Sequence, residues 1–163
     1  LPQIRILDSG DLRAVTRQLR TQADGKELVK ELRTGLRGVL NPVRDEVKAA
    51  YRAMPKGAGR RAKGSLGSQL ARATRTEVRT SGKLAGARVR VDGRKMPTGA
   101  KSLPAYVEGY KRPWRHPVYG NRDVWVTQPA RPRFDRIVER HEDDVTRAVE
   151  QVLDGIRRKL EHR

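Results

Sequence analysis

Few side chains in this 163-residue chain have types and spacings that could do chemistry. There are three histidines, His116, His141 and His162. His116 precedes Pro117 and stands beside Trp114, Arg115 and Tyr119; its ordinary role there is a hydrogen-bonded structural histidine at a strand end, and a catalytic role is the sharper alternative. His141 falls on the apolar side of a helical pattern, and His162 is in the tail. The chain has no cysteine, which excludes disulfides and thiolate metal sites. Without a carboxylate pattern near either, His116 and His141 do not make a recognisable zinc site. Glu142-Asp143-Asp144 would in principle hold Mg²⁺ for a nuclease, yet consecutive helical residues point in different directions and no second acidic cluster accompanies them. No serine sits in a nucleophile-elbow context. Gly57-x-Gly59 lacks the third glycine and the Lys-Ser/Thr ending of a phosphate-cradling loop. The expectation is a protein without catalysis, cofactor or metal.

Charge is the next signal. The 37 Lys+Arg against 19 Asp+Glu leave a formal charge of +18, which attracts polyanions and repels a second copy. An acidic protein neighbour, or plain solubility, would account for the same excess. Between Pro55 and Gly64 four cations, Lys56, Arg60, Arg61 and Lys63, are interspersed with three glycines. Such a stretch cannot bury enough apolar surface to fold alone. It reads as a flexible basic loop facing DNA phosphates or a partner, against the ordinary alternative of a solvated surface loop. Arg88 and Arg90 are further candidates for nucleic-acid contact, although charge on the outer face of a sheet is the common case.

The elements that position these residues follow from hydrophobic periodicity. Gln3 to Leu7 suggests a short strand, followed by turn and capping residues at Asp8-Ser9-Gly10-Asp11 and a short helix through Leu12, Val15 and Leu19. A long helix from about Lys26 to Met54 carries Leu28, Leu32, Leu36, Leu40, Val43, Val47 and Tyr51 on one stripe. Pro42 predicts a kink in it; the alternative is a second helix starting at Asn41-Pro42. Ser65 to Ala73 reads as a short helix. Thr74–Thr80 and Ala87–Val91 alternate small or β-branched residues with charges, as half-buried antiparallel strands do. A helical turn from Ser102 to Gly109 comes next. A last helix from about Pro132 presents Phe134, Ile137, Val145, Val149, Val152 and Ile156 on one side, with Asp143–Arg147 and Asp154–Arg158 as opposite-charge pairs. The predicted fold is one α+β domain over 1–163: a small antiparallel sheet of four or five strands, packed against the long kinked helix and the long C-terminal helix.

The stretch from Trp114 to Phe134 holds both tryptophans and the only phenylalanine. Val118-Tyr119, Gly120-Asn121 and Val124-Trp125-Val126 predict a β-hairpin turning at Gly-Asn, with Pro117 marking an edge or the start of its strand. On a pleated strand Trp125 faces opposite to Val124 and Val126. Trp114 and Trp125 are therefore expected as core anchors beneath the C-terminal helix near Phe134, or as hot spots toward another subunit, the core option being favoured. Trp114, His116, Tyr119, Asn121, Trp125 and Phe134 form the candidate structural or interface set.

The run Trp114-Arg115-His116-Pro117-Val118-Tyr119-Gly120-Asn121-Arg122, with Trp125-Val126-Thr127-Gln128-Pro129 and Pro132-x-Phe134, resembles a family of small head–tail connector or tail-completion proteins of long-tailed double-stranded-DNA bacteriophages. The resemblance is most specific over residues 103–134 and looser along both long helices; the loop at 55–64 matches no family motif. It implies structural work in the virion neck: a homo-oligomeric ring, a hexamer before a dodecamer, between connector or stopper and tail-tube proteins. Double-stranded DNA passes through such a ring without sequence preference, and the particle is assembled in the bacterial cytoplasm. The alternative from the residues alone is a nonspecific basic nucleic-acid-binding protein, with a small nuclease a distant third. No apolar run approaches the roughly 20 residues that cross a bilayer, and no signal peptide is expected. The chain starts at Leu1 without an initiator Met, so further residues are expected before it.

Overall fold

A computed structural model describes residues 3–5, 9–55, 64–118 and 120–161 of the chain. Its centre is helix α2, Gly25–Arg52, which follows strand β1 (Gln3–Arg5) and helix α1 (Ser9–Arg20). The predicted stripe is the buried one: Leu32, Leu36, Leu40, Val47 and Tyr51 are fully enclosed, joined by Leu28, Val29 and Val43. The helix is continuous through Pro42, so Asn41-Pro42 starts no second helix. The apolar stripe keeps its phase on both sides of the proline, and its packing outweighs the hydrogen bond forgone there.

One side of α2 lies on a sheet. Helix α3 (Leu66–Ala73), capped by Ser65 through the Ser68 N–H at 3.3 Å, leads straight into strand β2 (Thr74–Arg79). Strand β2 pairs antiparallel with β3 (Gly86–Val91), and β1 pairs with the other edge of β3, giving the order β1-β3-β2. Ala87, Val89 and Val91 face the helix fully buried. Polar contacts fix the register of helix on sheet: Thr76 Oγ1 donates to Asn41 Oδ1 at 3.1 Å, and Arg33 donates to Thr80 Oγ1 at 2.6 Å.

The other side of α2 takes helix α5, Phe134–Glu161. The two run antiparallel, as the ion pairs Lys159–Glu31 near one end and Arg140–Glu46 near the other require. Gly35 lies so close to α5 that a Cβ there would stand 2.8 Å from Val152 Cγ1. The stripe on the C-terminal helix thus covers α2 and not the sheet, so sheet, α2 and α5 stack as three layers. The charge pairs on its wet face are also one residue off the predicted spacing, Arg147 with Asp144 at 2.5 Å and Arg157 with Asp154 at 3.2 Å.

The expected single sheet of four or five strands is two sheets. Helix α4 (Leu103–Val107) precedes a separate antiparallel pair, β4 (Trp114–Val118) with β5 (Asn121–Gln128). Alternation identifies a strand but not its neighbours, and both edges of β3 are already occupied. Among the described residues no helix is long and apolar enough to cross a membrane.

Candidate functional site

The β4–β5 hairpin stands out because so little of it is covered. Its pairs run from Trp114↔Gln128 at the base through His116↔Val126 and Pro117↔Trp125 to Val118↔Asn121 at the tip, with a register irregularity after Pro117, where the ladder donor is missing. The reversal falls before Asn121 and not at Gly120-Asn121. Gly120 has φ +84°, while Asn121 already belongs to β5 and its Oδ1 accepts the Asp123 N–H at 2.9 Å. Tyr119 lies outside the described residues.

Every residue of β5 is exposed. Val124 is 50%, Trp125 46% and Val126 41% accessible. The expectation of Trp125 as a core anchor is therefore wrong. Its indole N–H donates to the Arg122 carbonyl at 2.6 Å, and the Arg115 guanidinium lies 5.3 Å from the ring centroid. A core anchor needs one hairpin face packed against the domain's helices, and that holds only at the base. There Trp114, half-buried, lines a small cavity together with Met54, Leu66, Tyr106 and Val107, and its ring lies 4.3 Å from that of His116 between centroids, tilted by 34°. His116 Nδ1 lies 3.2 Å from the Pro117 carbonyl. Phe134 is fully buried at the start of α5.

What holds the hairpin to the body is a buried carboxylate that no sequence pattern singled out. Glu108, at the end of α4, accepts the Tyr51 hydroxyl at 2.8 Å on Oε1, and the Arg133 and Phe134 N–H groups at 2.8 and 2.9 Å on Oε2. These N–H groups open α5, where the helix has no internal acceptors and its dipole favours negative charge. Burial still pushes the Glu108 carboxyl above the ordinary carboxylate range, with the three donors pulling it back. The Tyr51 hydroxyl is driven far up by the same burial and by Glu108 beside it. The Arg131 N–H adds a bond to the Val107 carbonyl at 2.8 Å. The exit of the hairpin is thus tied to α4, and through Tyr51 to α2. The available signal was a glutamate just before a glycine, Glu108-Gly109, with no capping side chain immediately before Phe134.

The other candidates separate in space. Lys56, Arg60, Arg61 and Lys63 lie outside the described residues. Arg88 and Arg90 sit on the outer face of the three-stranded sheet, and both are engaged. Glu77 holds Arg88 at 2.9 Å and Arg79 at 2.6 Å, and Asp92 holds Arg75 at 2.8 Å and Arg90 at 3.2 Å. The Arg88 side chain is only 4% accessible. Burial alone would raise both carboxyls, but the guanidiniums hold Glu77 and Asp92 below their usual range, helped at Asp92 by the Arg94 N–H. These two arginines therefore offer little to a nucleic acid. His141 Nε2 meets Glu46 at 2.5 Å between α2 and α5, an inter-helix tie. Among the described residues no group of three or more His, Cys, Asp or Glu side chains is placed to hold a metal ion. Comparison with protein-family models, with curated proteins and with solved structures finds no match.

Proposed function

We propose that this chain is a structural, non-catalytic subunit of the neck of a long-tailed double-stranded-DNA phage. It assembles into a ring at the head–tail junction, as a tail-completion or tail-terminator protein, and joins the capsid connector to the tail tube around the DNA passage. The reading begins in the resemblance over residues 103–134. The single observation that carries it beyond resemblance is the uncovered hairpin, with Val124 and Val126 on one face of β5 and Trp125 on the other, all wet. A two-stranded ribbon is marginal in water by itself. One that is apolar on both faces and anchored firmly at its base suits insertion into a neighbour, where an indole is among the side chains enriched at hot spots. A ring built from head-to-tail contacts needs two different surfaces, and the hairpin serves as one of them. The alternative, a nonspecific nucleic-acid-binding protein, is supported by the +18 charge and leaves Val124 and Val126 without a role. Reconstruction of intact necks by cryo-electron microscopy tests the proposal: the expected result is a closed ring, six-fold before twelve-fold, with each hairpin enclosed by the next subunit or layer. Single subunits with solvated hairpins would overturn it.

A further inference from the structure

On the side of the molecule where α5 begins, the chain forms an open groove of about 970 Å³ between α2 and the N-terminal half of α5. Its floor is made of small and apolar side chains, Ala49 and Ala50 from α2 and Ile137 from α5. Its rim is cationic: Arg131 and Arg133 on the segment entering α5, then Arg136 and Arg140 on the helix itself. Positions 133, 136 and 140 recur at three and four residues, so they line one face. Two glutamates also border the groove. Glu46 is engaged by Arg140 and His141, which leaves Glu139 as the one carboxylate there without an ion-pair partner among the described residues. Arg131 and Arg136 face no carboxylate partner among the described residues, and both are exposed. The wall is rigid where it matters, because the backbone N–H groups of Arg131 and Arg133 are fixed to Val107 and Glu108.

We propose that this groove is a docking site for an acidic, partly apolar segment of another protein. Guanidiniums in a row match carboxylates in bidentate geometry, and the alanine floor leaves room for the small or branched side chains between them. The apolar floor decides against a nucleic-acid backbone, which needs the cations and gains nothing from Ala49 and Ala50. The hairpin of a second copy is not the occupant: it carries Arg115 and Arg122 against the single Asp123, and would meet like charge. The groove borders the exit of the hairpin but uses none of its exposed strand residues, and it can be tested on the isolated chain whether or not that chain assembles.

The probe is a fluorescein-labelled amphipathic peptide of Leu, Ala and Glu, its anisotropy compared with polyglutamate of equal charge and with a short DNA duplex. The expected result is saturable binding of the amphipathic peptide, tighter than polyglutamate. Arg133→Ser with Arg136→Ser should weaken it about tenfold or more. Ala49→Leu fills the floor at an exposed position without altering charge; it should weaken the peptide and leave the duplex unchanged. Melting curves and far-ultraviolet spectra check that each variant is folded, and Arg136→Glu alone serves as a second variant with the same net change in charge at a single position. Three outcomes would overturn the proposal: no peptide binding, peptide binding indifferent to Ala49→Leu, or duplex binding that alone responds to the arginine variants.

Discussion

Glu108 joins separate parts of the molecule, since α2, α4, the hairpin's exit and the start of α5 all meet at its carboxylate. Glu108→Ala would leave the Tyr51 hydroxyl and two N–H groups buried without an acceptor, and should cost about 2–4 kcal/mol, read as a lower denaturant midpoint. Glu108→Gln keeps one oxygen for the two N–H groups, and its amide can donate to the Tyr51 oxygen, so the loss should be smaller. A Glu108→Ala variant that unfolds at the wild-type midpoint would show that the cap contributes nothing. The pH dependence has a definite sign. A carboxyl raised by burial gives stability that is full below its unfolded value and is lost as pH rises through the folded value. Glutamine cannot ionise, so the gap between wild type and Glu108→Gln should shrink as pH rises from below 4.5 toward neutrality. Glu77 and Asp92 have the opposite sign, their folded values being depressed, and their contribution is lost in both proteins on acidification. A gap that does not change with pH would mean that Glu108 titrates as an exposed carboxyl. At this scale the sequence conveyed Tyr51 as one more apolar step of a stripe. Its hydroxyl's partner lies 57 residues away, and no local spacing marks that pairing.

Among the elements, the helices were the legible part, because a stripe at three- and four-residue steps has one way to be buried. The strands were legible singly. Their division into two sheets was not, since alternation carries no information about which edge is free. The hairpin misled for a related reason: apolar residues on both faces of a strand usually mean burial within the same domain, and here no element of the described chain lies beyond the base to provide it. Two glycines test the packing of the long elements. A Cβ at Gly67 would stand 2.0 Å from the Tyr51 carbonyl oxygen, where α3 crosses the end of α2. Backbone cannot step aside as a side chain can, so Gly67→Ala should destabilise by about 1–3 kcal/mol despite the gain in helix propensity. Gly38, inside α2, has nothing within 4 Å of its added Cβ, and Gly38→Ala should stabilise by up to about 1 kcal/mol. Equal effects from the two would contradict the close approach of α3 to α2. For the hairpin, Trp125→Ala should shift the isolated chain's stability by about 1 kcal/mol at most, because nearly half of the side chain is exposed and its named interactions are the Arg115 cation–π interaction and one hydrogen bond. On the proposed role in a phage neck, assembly should fail with the same variant. Normal melting together with normal infectious particles would remove Trp125 from the interface, and a large loss of stability would return it to the core.

For the molecule as a whole, the decisive quantity is the charge and where it remains unpaired. The formal +18 was legible at once, but its distribution was not. Arg88 and Arg90 looked available on an alternating strand and are held by Glu77 and Asp92, because β2 brings a carboxylate directly opposite Arg88 in the register. Glu31 and Glu46 likewise take up Lys159, Arg140 and His141 to join α2 to α5. The loop cations Lys56, Arg60, Arg61 and Lys63 stand in a stretch of ten residues that contains no acidic side chain at all. If the +18 serves a DNA passage, that stretch is where counterions are most readily exchanged for phosphates. Replacing all four with Ser should then weaken duplex binding irrespective of sequence. The log–log dependence of affinity on salt should become shallower by up to about 0.9 for each phosphate no longer neutralised. Ion-paired arginines make poor controls for this, since Arg88→Ser would take from the half-buried Glu77 one of its guanidinium partners and destabilise the sheet. Arg122→Ser, on the exposed hairpin, is the better comparison, and it should leave the slope nearly unchanged if the loop carries the contacts. A quadruple variant with the wild-type slope would assign the loop to a protein neighbour or to solvent, and the DNA-facing charge would have to come from elsewhere on the surface.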